Sequence, residues 1–518
     1  MFRLAILGDF SGRAARGVIE TGDALAARRA IKLDIDTLDE VIEGFRTELS
    51  IPVGEGGPTV TLELTSLDEL HPDELYENLA VFAELSDLRR AVSRGAAPAG
   101  TLQTLRKHGG EAPPLRAVPG PARGSAIPAD RGMGDFAALI GAPVTAAPPS
   151  PVEDLVARVV GPYIVDAPDP GAKELTAAID QALSATMSLI LHHPDVQAIE
   201  AQWRALDFLA RRIETGADVA LTLYDVSAEE VAVDLATTAD PAEGGLYRML
   251  SGTAAGDEGF AVVAGLYTFE ATPPHAELLA RIGGIASRLG APFLAALEPH
   301  AADGALQEAH PSVAEAFGAL AALPEADAVG LVAPPVLLRR PYGAKSDPVD
   351  AFAYEEFDRA EGLTGLLWGN PVLVAATLLA ANRGPGRALE LDDMPYHITT
   401  DRHGDQVALP ATQRIMTEAR VAAAQGWGVM PVLATRGGDR VRLGGFHAVT
   451  GRPLAGHWGA AAGRRPPSDA PGRGVGLSLS HQLTAAELAD LRGRASAGQA
   501  TGPADIDPDL AALLEDPE

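Results

Sequence analysis

The sequence predicts a mixed α/β protein of two domains joined by a Pro/Ala/Gly-rich linker, and three observations carry that prediction. Short runs of strand period recur between stretches of helical period, the order expected of an α/β core. Between residues 95 and 152 the text turns to Pro, Ala and Gly, with few large apolar side chains to offset chain entropy. The length of 518 residues exceeds one domain of roughly 100–200 residues, and a composition 47% hydrophobic and 21% charged is that of a globular chain.

Residues 1–94 read as a small α/β domain. Phe2 to Leu7 is a strand, ended by the turn chemistry of Gly8, Asp9, Gly12 and Arg13. Ile31, Leu33 and Ile35 alternate with charged residues, so a half-buried strand is expected there, with Thr37 and Glu40 at capping-box spacing opening a helix through Leu38, Val41, Ile42 and Phe45. Val60, Leu62 and Leu64 alternate again. Ser66 opens a helical stretch through Leu67 and Leu70, and Pro72 starts another helix carrying Leu75, Leu79, Phe82 and Leu85.

After the linker, residues 153–460 form the second expected domain. Ile179, Leu183, Met187 and Ile190 make one helical stripe, ending at His192-His193. Pro194 then sits at a first helical position, with Asp195 near the start, Arg211 and Arg212 in the last turn and Gly216 as the stop, so charges of each sign lie where the helix dipole favours them. Strands are expected at Val219–Tyr224, Phe260–Tyr267 and Phe293–Ala296, and helices at Ala276–Leu289 and Pro371–Ala381, the latter beginning beside Asn370. Val329 to Leu338 is apolar but interrupted by two prolines. Residues 461–518 read as a low-complexity tail with one short helix at Thr484–Leu491.

Composition removes several classes of function. No cysteine means no disulfide, iron–sulfur cluster, thiolate zinc site or cysteine nucleophile. A net charge of −29 repels phosphate backbones and argues against nucleic-acid binding. The apolar run at Met1–Leu7 is too short for a signal peptide, and no later stretch approaches a membrane span, so a cytoplasmic protein without membrane insertion is expected.

The chemical motifs fail one by one. The Gly8–Arg13 turn lacks dinucleotide spacing and the Lys-Ser/Thr of a phosphate loop. His192 and His193 are adjacent, not spaced to share a metal, and read as a helix break before Pro194. No Gly-x-Ser-x-Gly exists. Glu355-Glu356 and Asp392-Asp393 could serve as acid and base, but acidic chains commonly carry exposed carboxylate runs. Leu338 to Pro348, with Arg339, Arg340, Pro341, Tyr342 and Gly343, reads either as an interface anchor or as an ordinary loop. Trp368, Gly369 and Asn370 invite the same pair of readings, with Trp368 assigned to core packing. No catalytic residue, cofactor or metal is expected.

Four ordered motifs resemble a known family. Ile190–Leu206, containing His192, His193, Pro194, Trp203 and Arg204, is similar to a helix of the large contractile-sheath subunit of bacterial type VI secretion systems, TssC. Arg340–Val349, Ala353–Glu356 with Leu367–Asn370, and the stretch from Leu391 to Val432 resemble later segments of the same family in the same order. Leu7–Arg13, Asp34–Phe45 and Leu67–Arg89 resemble the small subunit, TssB. The resemblance implies two sheath-type domains fused into one chain, working by assembly and contraction rather than catalysis. It implies other sheath subunits, inner-tube hexamers and the baseplate as partners, with a disassembly ATPase as a further candidate. The resemblance to the large subunit fades beyond Thr450, where Gly-, Pro- and Arg-rich text replaces the family's C-terminal portion, which leaves a non-polymerising cap or adaptor as the alternative, and an unrecognised α/β enzyme as a third reading.

Overall fold

A computed structural model of the chain describes residues 1–53, 59–94 and 170–458, except 253–255, 257–258, 305, 359–361, 364, 401–404 and 436. The linker at 95–152 and the tail with its Thr484–Leu491 helix lie outside the described residues. The chain divides into two units, Met1–Leu79 with Met187–Glu518, and Ala80–Thr186.

The first elements are β1 (Phe2–Gly8), α1 (Asp23–Ala26), β2 (Ile31–Leu33), α2 (Leu38–Phe45) and the hairpin β3 (Thr47–Pro52) and β4 (Thr59–Leu64). The capping box expected at Thr37 does not form. Asp34 accepts from the Asp36 N–H at 3.1 Å and caps a 3₁₀ turn, Ile35–Thr37, that precedes α2. The helix expected from Pro72 through Leu85 is two helices, α3 (Pro72–Asn78) and α4 (Ala80–Ser93), split at Leu79, whose backbone is extended. No Gly or Pro marks that break.

Next come α5 (Pro170–Leu191), α6 (Pro194–Arg212), β5 (Val219–Asp225), α7 (Ala228–Thr237), α8 (Gly245–Leu250), β6 (Val262–Phe269), α9 (Pro273–Leu289), β7 (Phe293–Leu297), α10 (Pro311–Ala322), β8 (Val329–Ala333) and β9 (Val336–Leu337). Last are β10 (Trp368–Gly369), α11 (Val372–Asn382), β11 (Glu390–Leu391), β12 (His397–Thr400), β13 (Gln406–Leu409), α12 (Glu418–Gly426), β14 (Val429–Ala434) and β15 (Val441–Leu443). Helix α6 ends at Arg212, with Ile213 already extended, before the expected stop at Gly216.

Nine strands form one sheet in the order β11-β15-β14-β8-β7-β6-β1-β5-β2. The six from β14 to β5 are parallel, and antiparallel strands close both edges. Leu4 is in register with Leu221 of β5 on one side and Val262 of β6 on the other. The sheet therefore crosses the expected boundary between residues 1–94 and 153–460, and the two segments share it. The reason lies in β1 itself: Leu4, Ala5, Ile6 and Leu7 are all buried without alternation. Such a strand needs neighbours on both edges and cover on both faces, as parallel strands do.

One face carries a core that includes Leu7, Tyr224, Val231, Leu279, Phe293 and Phe317. Gly283 of α9 packs closely, as its position in a helical pattern implies: a Cβ there would lie 3.2 Å from the Glu325 carbonyl oxygen. Helix α11 is apolar around its whole circumference and buried almost throughout, from Val372 to Ala380, the composition of a helix with no solvent face. In the unit Ala80–Thr186, Arg89 of α4 pairs with Asp180 of α5 at 2.7 Å.

Candidate functional site

Helix α6 starts where its residues dictate. Pro194 occupies the first position, where its missing N–H costs nothing, and His193 Nδ1 accepts from the Asp195 N–H at 3.3 Å. The His193 ring thus acts as a cap, in keeping with a helix break. Two turns on, Trp203 is fully buried and its indole N–H donates to the Phe10 carbonyl at 2.8 Å, fastening α6 to the loop after β1.

In the middle of α6, Glu200 is wholly buried. An isolated carboxylate there would cost several kcal/mol in lost hydration. Two guanidiniums answer it. Arg204 Nε donates to Oε1 at 2.7 Å, and Arg339 donates through Nε at 2.6 Å and through Nη2 to Oε2 at 3.2 Å. Arg339 also reaches Glu356, through Nη1 at 2.5 Å and Nη2 at 2.8 Å. Its planar fork is what allows one cation to bind two carboxylates at once. The Arg339 guanidinium lies 4.1 Å over the Tyr342 ring, whose hydroxyl accepts from Arg204 Nη2 at 3.2 Å. Glu356 accepts the Tyr342 N–H at 2.7 Å and its own N–H donates back to the Tyr342 carbonyl at 2.9 Å.

The electrostatics follow from this geometry. Burial alone would push the Glu200 carboxyl up, but Arg339 and Arg204 more than offset it and hold it at about 2. Burial disfavours the charge on Arg339, yet Glu200 and Glu356 raise its affinity for the proton well above the ordinary value. Burial pushes the Tyr342 hydroxyl up to about 12 and the Tyr354 hydroxyl up as well. A carboxylate held so far below neutrality is a poor general base. What the arrangement does is clasp three segments, α6, the 339–343 loop and the 354–356 stretch, through two negative and two positive groups.

A second cluster forms around the Gly8–Arg13 loop. Asp225, at the end of β5, accepts from the N–H groups of Phe10 and Ser11 and from the Ser11 hydroxyl, at 2.8, 3.2 and 2.8 Å. Buried Glu230 binds Arg13 at 2.8 Å and Arg28 at 3.0 Å while closing a capping box with Ser227 at the start of α7. Burial would raise the Glu230 carboxyl, but the hydrogen bonds from Arg13 and Arg28 bring it below its ordinary value. Asp9 behaves oppositely: burial lifts it to about 6 against the pull of the Ala14 and Arg13 N–H groups, and the charges of Asp225 and Glu229 add to the rise. Gly12 is left-handed, with φ 71°, and at Gly8 a Cβ would stand 2.4 Å from Gln202 Oε1.

The remaining candidates lie at the edge of this chemistry or beyond it. Arg340 is exposed, with its guanidinium 6.0 Å from the Tyr396 ring; the buried anchor is its neighbour Arg339. The Pro341 carbonyl accepts from Ser346 Oγ at 2.5 Å, and the Glu355 carboxylate covers Gly343 while accepting the Ala344 N–H at 3.0 Å. His192 Nε2 lies 3.8 Å from Glu356. Trp368 is half-buried against the small core of Leu337, Leu363, Leu366 and Leu409, and donates to the Leu363 carbonyl at 3.1 Å. Gly369 admits the Leu338 side chain, which would stand 2.5 Å from a Cβ. Asn370 caps α11 by accepting the Val372 N–H at 3.0 Å, and donates to the Tyr267 carbonyl of β6 at 3.1 Å.

Residues 173–449, more than half of the 518, match the family model VipB, described as EvpB/VC_A0108, tail sheath N-terminal domain. The chain belongs to this tail-sheath family. Residues 1–108 match a second model, described as type VI secretion system, VipA, VC_A0107 or Hcp2. The chain is also similar to the type VI secretion system sheath protein TssC1 of Pseudomonas aeruginosa, 30% identical over 295 residues, which cover 52% of this chain and 59% of that protein. A TssB-like and a TssC-like sequence are thus fused in one polypeptide.

Within the tail-sheath region, the structure brings His192, Arg204 and Tyr342 together around Glu200, Arg339 and Glu356, residues the sequence placed in three separate segments without linking them. The signal for Glu356 was present in the alternation of Phe352, Tyr354 and Glu356, all buried, with exposed Ala353 and Glu355. Reading Glu355-Glu356 as an exposed acidic run is therefore corrected for Glu356. Gly8, Asp9, Gly12, Arg13 and Trp203 meet at the second cluster, where Arg13 and Glu230 join the VipA-like and VipB-like segments.

Proposed function

We propose that the protein is a fused sheath subunit of a type VI contractile injection apparatus, one that stacks with other sheath subunits around an inner tube and acts by changing how it packs. The observation that carries this reading is β1: the VipA-like strand is hydrogen-bonded along both edges to strands of the VipB-like segment. Strands of the two matched segments thus share one sheet, and fusion holds them at high effective concentration. Free energy for contraction in such a device resides in subunit contacts with two arrangements, so no nucleotide chemistry in the subunit is required. The clasped carboxylates of Glu200 and Glu356 fit a part that must transmit force without yielding. Among the described residues no helix is long and apolar enough to cross a membrane, which accords with assembly in the cytoplasm.

Negative-stain microscopy of the full chain, co-expressed with type VI inner-tube and baseplate proteins, tests the proposal. Tubes, or density on the inner tube, are expected. A particle that stays monomeric and never associates with tube or sheath would overturn it, whereas a monomer bound only at sheath ends would make the protein a cap.

A further inference from the structure

Residues 13–17, just after the Gly8–Gly12 turn, read Arg-Ala-Ala-Arg-Gly and carry no large apolar side chain; Ala15, Arg16 and Gly17 are exposed. Polar contacts hold the segment in place. One Asp9 carboxylate oxygen accepts the Arg13 N–H at 2.6 Å and the other accepts the Ala14 N–H at 2.8 Å. The Arg13 guanidinium pairs with Glu230 and with Glu20, both at 2.8 Å, and Arg16 donates to the Ser11 hydroxyl at 3.0 Å. A left-handed glycine bounds each end, Gly12 with φ 71° and Gly17 with φ 65°. Glycine changes backbone conformation at little steric cost, and a segment with so little apolar anchorage belongs to the part of a fold that opens locally.

The surroundings of Asp9 are acidic. Asp225 faces it from the end of β5 and Glu229 from α7, with the Tyr267 hydroxyl on β6 also near. Asp195 on α6, Glu270, Glu298 and His275 line the same cavity, and burial lowers the proton affinity of His275. Among the described residues no cation pairs with the Asp9 carboxylate, because Arg13 and Arg28 are turned to Glu230 and Arg16 to Ser11.

We propose that residues 13–17 form a proton-operated latch: shut while Asp9 is protonated, the segment opens on Gly12 and Gly17 when Asp9 ionises against Asp225 and Glu229, drawing Arg13 away from Glu230. Opening leaves buried Glu230 with Arg28 at 3.0 Å and the Ser227 N–H, and so loosens the tie between the VipA-like and VipB-like segments. The latch does not depend on the sheath reading.

Its direction follows from the balance at Asp9. The two N–H bonds favour the ionised carboxyl, but burial, with the charges of Asp225 and Glu229, outweighs them and lifts it from 3.8 to about 6. In the open segment Asp9 meets water and regains its ordinary 3.8, so the shut form is favoured below 3.8 and loses ground as pH rises through 6. Between about pH 4 and about pH 7.5 these two values raise the open-to-shut ratio about sixtyfold.

Hydrogen–deuterium exchange of the full chain, read by mass spectrometry and corrected for the intrinsic rate at each pH, tests this. Protection of the amides of residues 13–18 is expected to fall about sixtyfold over that range, with β1 staying about a hundredfold or more better protected throughout. Asp9→Asn is expected to flatten the dependence to within about threefold, and Glu229→Gln to shrink it about twofold or more. Gly17→Ala, which puts a side chain at positive φ, is expected to raise opening about fivefold at every pH. Wild-type protection that does not change with pH, the full dependence persisting in Asp9→Asn, or β1 losing protection in step with residues 13–18 would each overturn the proposal. Glu229 is half-buried and outside the capping box, so where Asp9→Asn fails to fold the comparison with Glu229→Gln decides, and an unchanged fall in that variant would overturn it too.

Discussion

Replacing Arg339 by methionine isolates the energetics of the clasp. Methionine keeps the stem volume and removes the one cation that touches both carboxylates. Glu200 then retains Arg204, but Glu356, 3% exposed, keeps only the Tyr342 N–H and the neighbouring His192. Breaking a buried pair from one side leaves a charge uncompensated, at a cost of about 3–5 kcal/mol. Urea unfolding followed by tryptophan fluorescence, with Trp203 buried on the same helix, measures the loss as a shift in midpoint at unchanged slope. The double variant Arg339→Met/Glu356→Gln removes the stranded charge and is expected to recover about 1–3 kcal/mol, a coupling of the size found for residues in one network. Arg339→Lys keeps the charge but not the fork and is expected to fall between wild type and Arg339→Met. A cost below about 1 kcal/mol for Arg339→Met, or strict additivity with Glu356→Gln, would refute the account of the cluster as a mutually dependent clasp.

Two further outcomes follow from the second cluster. Gly8→Ala places a methyl 2.4 Å from Gln202 Oε1 and 2.9 Å from the Phe10 ring, so a loss of about 1–3 kcal/mol is expected in urea unfolding, with partial recovery when Gln202→Ala is added. Asp9 titrates at about 6 in the fold against an ordinary 3.8, so the stability tied to its protonated form is complete below 3.8 and lost as pH rises through 6. Asp9→Asn is therefore expected to gain on wild type across that window, by on the order of 2 kcal/mol, in thermal melts from pH 4 to 7; a constant difference over the range would contradict the burial argument.

Much of the fold was legible because local rules and tertiary packing agree. Pro194, Asp195, Arg211 and Arg212 set the ends of α6, and the strands from Phe2, Val219, Phe293 and Val60 follow their apolar patterns. Thr37 misled because Asp34, three residues earlier, offered a competing cap. The pairing of β1 with strands beyond the linker was not legible for a different reason: an unbroken apolar run states that both faces will be covered but is silent about which distant strands lie beside it. The clasp was hidden because charge type does not reveal burial. Arg339 and Arg340 are equal as text, and the position of Glu200 on α6 does not name its partners. Only the spatial meeting of residues 200, 339 and 356 shows that these charges answer one another.

The central position of β1 has a consequence for how the protein is made. Its apolar segment leaves the ribosome long before its two flanking strands, which end at residues 225 and 269. At 5–20 residues per second the nascent strand waits roughly 10–50 s for both neighbours. Throughout that interval it is a sticky ribbon with unsatisfied edges, a natural client for trigger-type chaperones and a site where crowding on polysomes would promote premature association.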